Sequence, residues 1–239
     1  CAEYAAETGD YDIFDEKVPY ICGAALPDGV SELYMTPSRT AYKGTMLEHC
    51  IKAVDLSLNF GVHGLPLIGS CDWNDGFSRL GSNNDCESVW LAMFQVGVLH
   101  RMADICGKFD MKDKQKAYIS TAEELERQIE AVAWRGDRYA RAIFADGSAL
   151  GEEKDFIDIL PQAFAVLFNI GDSEKAKIAV NTAYERLFCP ESGVTRLLAP
   201  AFDESEAQKV GYIAEYPEGI RENSGQYTHA AVWLARALL

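Results

Sequence analysis

Two stretches of this 239-residue chain concentrate side chains able to move a proton or hold an anion. The first, residues 64–88, reads GLPLIGSCDWNDGFSRLGSNNDCES and gathers Asp72, Trp73, Asn74, Asp75, Arg79, Asn83, Asn84 and Asp85 among glycines. Carboxylates and amides beside an indole suit a sugar, which offers hydroxyl edges for hydrogen bonds and an apolar C–H face for stacking. A protonated Asp can deliver its proton to a glycosidic oxygen when burial or a like-charged neighbour raises its pKa. Asp72 and Asp75, at i and i+3, are spaced to couple in that way. The same composition also suits a purely conformational cluster of Asx turns and caps, because Asp, Asn and Gly dominate turns.

The second stretch, residues 215–233, reads EYPEGIRENSGQYTHAAVW and carries Tyr216, Glu218, Arg221, Glu222, Gln226, Tyr227, Thr228 and His229. Arg221 and His229 are its anion-binding groups, and a helix starting just after Gly225 would add unpaired backbone N–H groups. The alternative pairs Arg221 with Glu222 or Glu218 and bonds His229 within the protein.

The loops at 61–86 and 191–225 are long for connections between helices, and helices dominate the rest of the pattern. TMLEHCIKAVDLSLNFG sets apolar residues on one broad face, with Gly61 as its stop. ESVWLAMFQVGVLHRMADICGKF is apolar around most of its circumference from Val89 to Leu99, as a helix buried on nearly all sides requires. KDKQKAYISTAEELERQIEAVAW reads as a surface helix resting on Ala117, Ile119, Leu125, Ile129 and Val132. FIDILPQAFAVLFNIGD and SEKAKIAVNTAYERLFCP read as two helices joined at Gly171 and Asp172, with Ser173 as N-cap. GQYTHAAVWLARALL begins a last helix, and DRYARAIFADGS is the best hairpin candidate, turning at Asp146 and Gly147. The expectation is an all-α solenoid, toroid or barrel with few or no strands.

Composition narrows the partners. Lys and Arg total 22 against 37 Asp and Glu, a net charge of −15 that repels nucleic acid and anionic lipid. No apolar run reaches the roughly 20 residues of a membrane helix, and CAEYAAETGD lacks the basic and apolar regions of a signal peptide. The seven cysteines are odd in number and form no C-x-x-C pair, so they read as reduced thiols of a cytoplasmic protein. Cys71 reads as a half-buried turn residue rather than a nucleophile. No ligand cluster has metal spacing. The start at Cys1 and the uncapped apolar end AAVWLARALL lead us to expect a piece of a longer polypeptide.

GLPLIGSCDWNDGFSRLG and YPEGIRENSGQYTHAAVW, in that order and together with ETGDYDIFDEKVPY and ESVWLAMF, resemble glycoside hydrolase family 94. That family includes cellobiose and chitobiose phosphorylases and the phosphorylase-like domain of cyclic β-1,2-glucan synthases. The resemblance extends over essentially the whole chain and looks closer to the β-1,2-glucan members.

It implies that residues 1–239 form part of a single (α/α)6 catalytic barrel. An upstream β-sandwich, the first helices and the last helices would lie outside the chain, leaving this segment inactive or very weak by itself. Carried over, DWND makes Asp75 the general acid and puts Trp73 in the sugar pocket, with Asp72 and Asn74 as supports. Tyr216, Arg221 and Glu222 would line the acceptor side, and His229 would contact phosphate. The implied reaction is reversible inverting phosphorolysis of a β-glucosidic bond, yielding α-glucose 1-phosphate. Its partners would be a β-linked glucose oligosaccharide and inorganic phosphate as co-substrate, without metal or organic cofactor; a homodimer is compatible with this. Two alternatives stay open: an inverting hydrolase on the same barrel with Glu222 as base, and a non-catalytic carbohydrate-binding fragment.

Overall fold

A computed structural model of the protein describes residues 1–27, 30, 33–83 and 85–239; Asn84 therefore lies outside the described residues. After a short helix α1 (Ala2–Thr8), strands β1 (Lys17–Cys22) and β2 (Ser38–Thr45) form an antiparallel hairpin. Helix α2 (Met46–Ser57) follows β2 directly, started by a capping box. In it, Thr45 Oγ1 accepts from the Glu48 N–H and Glu48 Oε2 accepts from the Thr45 N–H. The helix ends at Ser57 and not at Gly61, because the Asn59 carbonyl accepts from Leu67 N–H and Phe60 bridges Pro66. The chain is drawn out of the helix into the first long loop.

That loop closes with β3 (Cys86–Ser88) and enters α3 (Val89–Lys108), capped by Ser88. Val89, Ala92, Met93, Val96 and Leu99 are wholly buried, as the all-round apolar pattern requires. Helix α4 (Lys112–Val132) rests on α3 through Tyr118, Ala122, Leu125 and Ile129, a clean i, i+4, i+7, i+11 stripe. The stripe is rotated from the expected one: Ala117 and Ile119 are exposed. Tyr118 replaces them because its ring can be buried while its hydroxyl donates to Asp55 Oδ1 at 2.9 Å.

Helices α5 (Ile159–Leu167) and α6 (Ser173–Leu187) form the next pair, joined at Gly171 and Asp172 as expected. The cap of α6 is Asp172, not Ser173, since the Asp172 carboxylate accepts from both the Glu174 and Lys175 N–H groups. The short α7 (Ala207–Val210) lies in the second long loop, and α8 (Thr228–Leu238) packs on α5. The row α3, α5, α8 is thus backed by α4 behind α3 and α6 behind α5. This is an arc of paired helices, and no closure into a ring is seen among the described residues.

Strands are short but more numerous than expected. Besides β1 and β2 there are β3, β4 (Ala142–Phe144), β5 (Ile157–Asp158), β6 (Phe188–Cys189), β7 (Val194–Thr195) and β8 (Leu198–Ala199), paired β3–β4, β5–β8 and β6–β7. The turn at Asp146 and Gly147 forms, with Gly147 at φ 85°. The main partner of β4, however, is β3 in the first long loop, with Ser88 opposite Ala142. That pairing matters because it carries Arg141 under the DWND turn. No helix among the described residues is long and apolar enough to cross a membrane.

Candidate active site

Three helices of the row begin at the same end of the fold. Ser88 caps α3 and Asp158 caps α5 by accepting from the Leu160 N–H at 2.8 Å. Both caps bind one guanidinium: Arg141 donates to Ser88 Oγ at 3.2 Å and to Asp158 Oδ2 at 3.1 Å. The start of α8 reaches the same place through aromatic contact. Trp73 lies 5.0 Å from Tyr227 and 6.0 Å from His229 between ring centroids, and 6.5 Å from Trp90 in the first turn of α3. Helix starts carry partial positive charge, so this end of the row favours an anion.

The DWND turn is built from two successive Asx turns. Asp72 Oδ1 accepts from the Asn74 N–H at 3.0 Å, and Asn74 Oδ1 accepts from the Gly76 N–H at 3.0 Å. The Asp72 carboxylate also receives Arg141 Nη2 at 2.6 Å and Ser88 Oγ at 2.7 Å, out of contact with water. Asn74 is fully buried. Asp75, between these two anchors, is exposed, with the Cys71 thiol 3.9 Å from its Oδ1. Asp72 and Asn74 thus hold the turn while Asp75 faces outward. The expected coupling of Asp72 to Asp75 is not how the turn is built, because the charge of Asp72 is matched by Arg141.

The buried charges have distinct electrostatics. Burial would raise the pKa of Asp72, but the charge of Arg141 and its hydrogen bonds outweigh burial and hold the carboxyl below its usual value. Burial pushes Asp158 up to about 6, because its share of the guanidinium is too small to offset the loss of water. Arg141 is itself raised: burial opposes its charge, but the two carboxylates win. One guanidinium serves two carboxylates unequally, and the shorter contact belongs to Asp72.

The second stretch folds back against the first. The Gly76 carbonyl accepts from Ile213 N–H at 2.9 Å, and Ser78 Oγ accepts from Tyr212 N–H at 3.3 Å. Further along, the fully buried Asn223 pins the loop, bonding the Phe202 N–H and carbonyl and the Tyr216 carbonyl. Ser224 Oγ donates to the Leu198 carbonyl at 2.8 Å. Held in this way, Arg221 adopts a left-handed backbone (φ 50°). Its Nη1 donates to the Tyr216 hydroxyl at 2.9 Å, its guanidinium lies over the Tyr216 ring, and its Nε stands 3.5 Å from Glu222 Oε2. That last separation is an ion pair rather than a hydrogen bond, and Glu222 Oε2 has no hydrogen-bond partner in the structure. Glu222 is 3% exposed, whereas Tyr216 is half-buried and Arg221 and His229 are exposed.

Tyr212 senses this convergence: burial pushes its hydroxyl up to about 12, with Asp75, Tyr216 and Glu222 adding to the effect. His229 sits in the first turn of α8, whose start has no side-chain cap. Its ring also packs near Trp233, at 6.1 Å. The Cys71 thiol is raised by burial first and by Asp75 second, so it stays protonated, as a turn residue rather than a nucleophile would.

The structure therefore brings Trp73, Asp75, Tyr216, Arg221 and His229 to one open face, with Asp72, Asn74 and Glu222 beneath it. Sequence reading did not single out Arg141, Asp158, Trp90 or Trp233. The available signal for Arg141 was a charge set among Ala140, Ala142 and Ile143 at the start of an apolar run, which demands buried partners.

Residues 1–239 match the family model described as "Glycosyl hydrolase 94 superfamily, catalytic domain". The chain is 38% identical to the cyclic beta-(1,2)-glucan synthase NdvB of Rhizobium meliloti (strain 1021), over 99% of this chain and 8% of that protein. It is 28% identical to the solabiose phosphorylase of Paenibacillus borealis, over 96% of this chain and 28% of the other. It is 25% identical to an N,N'-diacetylchitobiose phosphorylase of Vibrio proteolyticus, over 97% of this chain and 26% of the other. The chain thus spans less than a third of the length of each of these relatives.

Proposed function

The chain belongs to the glycosyl hydrolase 94 superfamily, and from that premise we propose that its parent protein cleaves a β-glucosidic bond by inverting phosphorolysis, releasing α-glucose 1-phosphate. The observation that carries the reading is the contact of Trp73 with Tyr227 and His229, which makes one site of the two stretches. We further propose that the arc of helices is part of an (α/α)6 barrel completed by the rest of the parent, and that this segment alone turns over little or nothing.

In the reaction, Asp75 gives its proton to the departing glycosidic oxygen. Phosphate, held by His229 and the uncapped start of α8, attacks the anomeric carbon from the opposite face. The C1–O bond to the acceptor breaks as the C1–O bond to phosphate forms. Hydrogen phosphate supplies the proton that restores Asp75, so the reaction balances without a separate base. Trp73 offers its indole for stacking against the sugar's C–H face, and Tyr216 with Arg221 offers hydroxyl and guanidinium donors on the acceptor side. No metal or organic cofactor is needed for this chemistry.

The hydrolytic alternative needs a base about 6.5 to 9.5 Å from the acid, with room for a water between them. Glu222, its candidate, is 3% exposed beneath Arg221, which favours phosphate as the nucleophile. Product analysis of the full-length protein with and without phosphate separates the two: glucose 1-phosphate supports phosphorolysis, and phosphate-independent glucose release supports hydrolysis.

A further inference from the structure

Asp75 is held by its neighbours along the backbone rather than by its own side chain. The carboxylate touches only the Cys71 thiol, at 3.9 Å, among the hydrogen-bonding groups described. Its direction is therefore set by the backbone on either side, and that backbone is fixed by the Asn74 N–H on Asp72 and the Gly76 N–H on Asn74. Asp72 Oδ1, which holds the first of these, is in turn held by Arg141 Nη2.

Arg141 spends each of its three nitrogens on a different partner. Nη2 takes Asp72, Nη1 takes the α3 cap Ser88, and Nε takes the α5 cap Asp158. The guanidinium carbon lies 5.2 Å from the Phe77 ring and 5.8 Å from Trp90, and the side chain has no exposure. A rigid planar fork can register three acceptors at once, whereas a lysine ammonium is a single point charge on a flexible stem. The guanidinium thus ties the first turns of α3 and α5 to the backbone that aims Asp75.

We propose that Arg141 is a positioning residue for proton donation: through Asp72 and Asn74 it sets where the Asp75 carboxyl meets the leaving oxygen. This rests on the phosphorylase reading above, in which Asp75 is the acid. A residue that only stabilises the fold would, when weakened, reduce all turnover alike. A residue that aims the acid affects a poor leaving group and spares one that departs without a proton.

The test uses the full-length parent protein in phosphate with two substrates, its β-linked glucose disaccharide and 2,4-dinitrophenyl β-glucoside, whose phenolate needs no protonation. The reference is Asp75→Asn, expected to lose about 10²-fold or more on the disaccharide while keeping turnover of the aryl glucoside. Arg141→Lys is expected to follow it, with kcat on the disaccharide lower by on the order of 10²-fold, KM little changed and the aryl glucoside nearly unaffected. Ser88→Ala, which removes one hydroxyl from the network, should show the same selectivity at smaller size and serves if Arg141→Lys does not fold. Tryptophan fluorescence and circular dichroism report whether each variant is folded. Selective Asp75→Asn with equal losses on both substrates in the folded Arg141→Lys, or in Ser88→Ala, overturns the positioning role alone. A non-selective Asp75→Asn removes Asp75 as the acid and the proposal with it.

Discussion

Trp73 meets His229 edge-on, with ring centroids 6.0 Å apart and planes crossing at 84°. One residue belongs to the DWND turn and the other to the first turn of α8, so the turn that carries the proposed proton donor and the proposed anion site are built against each other. The contact needs both long loops in place. Their register is set by the backbone bond from Ile213 to the Gly76 carbonyl and by Asn223 behind the second loop.

The proposed acid role of Asp75 is open to direct test. Asp75→Asn in the full-length protein should lower disaccharide phosphorolysis by about 10²-fold to 10⁴-fold. The circular dichroism spectrum and melting temperature should stay near those of the parent, because the side chain is exposed and its contact is the distant Cys71 thiol. Retained turnover would take Asp75 out of the mechanism.

His229 is expected to act on phosphate and not on sugar. His229→Asn should raise the KM for phosphate by on the order of tenfold or more while leaving the KM for the disaccharide within about threefold. Initial rates over a matrix of the two substrates check this. An equal rise in both constants would point to general loosening of the loop.

Gly76 lies where the two loops approach closely. A Cβ there would stand 2.7 Å from Ile213 Cβ and 3.2 Å from Ile213 Cα, too close for either to remain in place. Gly76→Ala should therefore destabilise the protein by about 1–3 kcal/mol and lower kcat, since the second loop must back away from the turn. Denaturant unfolding and steady-state kinetics on the same preparation measure both. An unchanged midpoint and unchanged kcat would mean that the two loops are not packed as described.

Asp158 gives a pH dependence of definite sign. Its folded value of about 6 lies above that of an unfolded aspartate, so the native state binds the proton more tightly. The associated stability is fully present below about pH 4 and is lost as pH rises through about 6. Asp72 acts oppositely: its lowered value adds stability above the unfolded pKa that disappears on strong acidification. Asp158→Asn should flatten the change in melting temperature between about pH 4 and 6 relative to the parent protein. A parallel decline in both proteins would remove Asp158 as the source.

Much of this was legible in the sequence, for identifiable reasons. The buried helix α3 and the α5–α6 pair follow from apolar periodicity and a glycine stop, which are local signals. The stripe on α4 was misplaced because Tyr118 counts as polar in a pattern yet buries its ring and keeps its hydroxyl on Asp55. Asp172 and Ser173 are both good caps, and only the bonds to Glu174 and Lys175 choose between them. The β1–β2 hairpin was missed because its burial does not alternate.

At the site, DWND admitted two readings, a turn cluster or catalytic carboxylates, and the structure shows the turn while the acid role stays a proposal for Asp75. Asp72 and Asn74 make the turn, and Asp75 is left facing out. The stretch around Arg141 signals a charge in need of partners but not which ones, because Asp72, Ser88 and Asp158 reach it through tertiary packing.

The most direct measurement is to incubate the full-length protein with inorganic phosphate and a panel of β-linked glucose disaccharides, and to follow products by nuclear magnetic resonance. The expected products are α-glucose 1-phosphate in amounts equal to the free acceptor sugar, with no cleavage when phosphate is withheld. Glucose released at the same rate without phosphate, or a β-configured phosphate product, would contradict it.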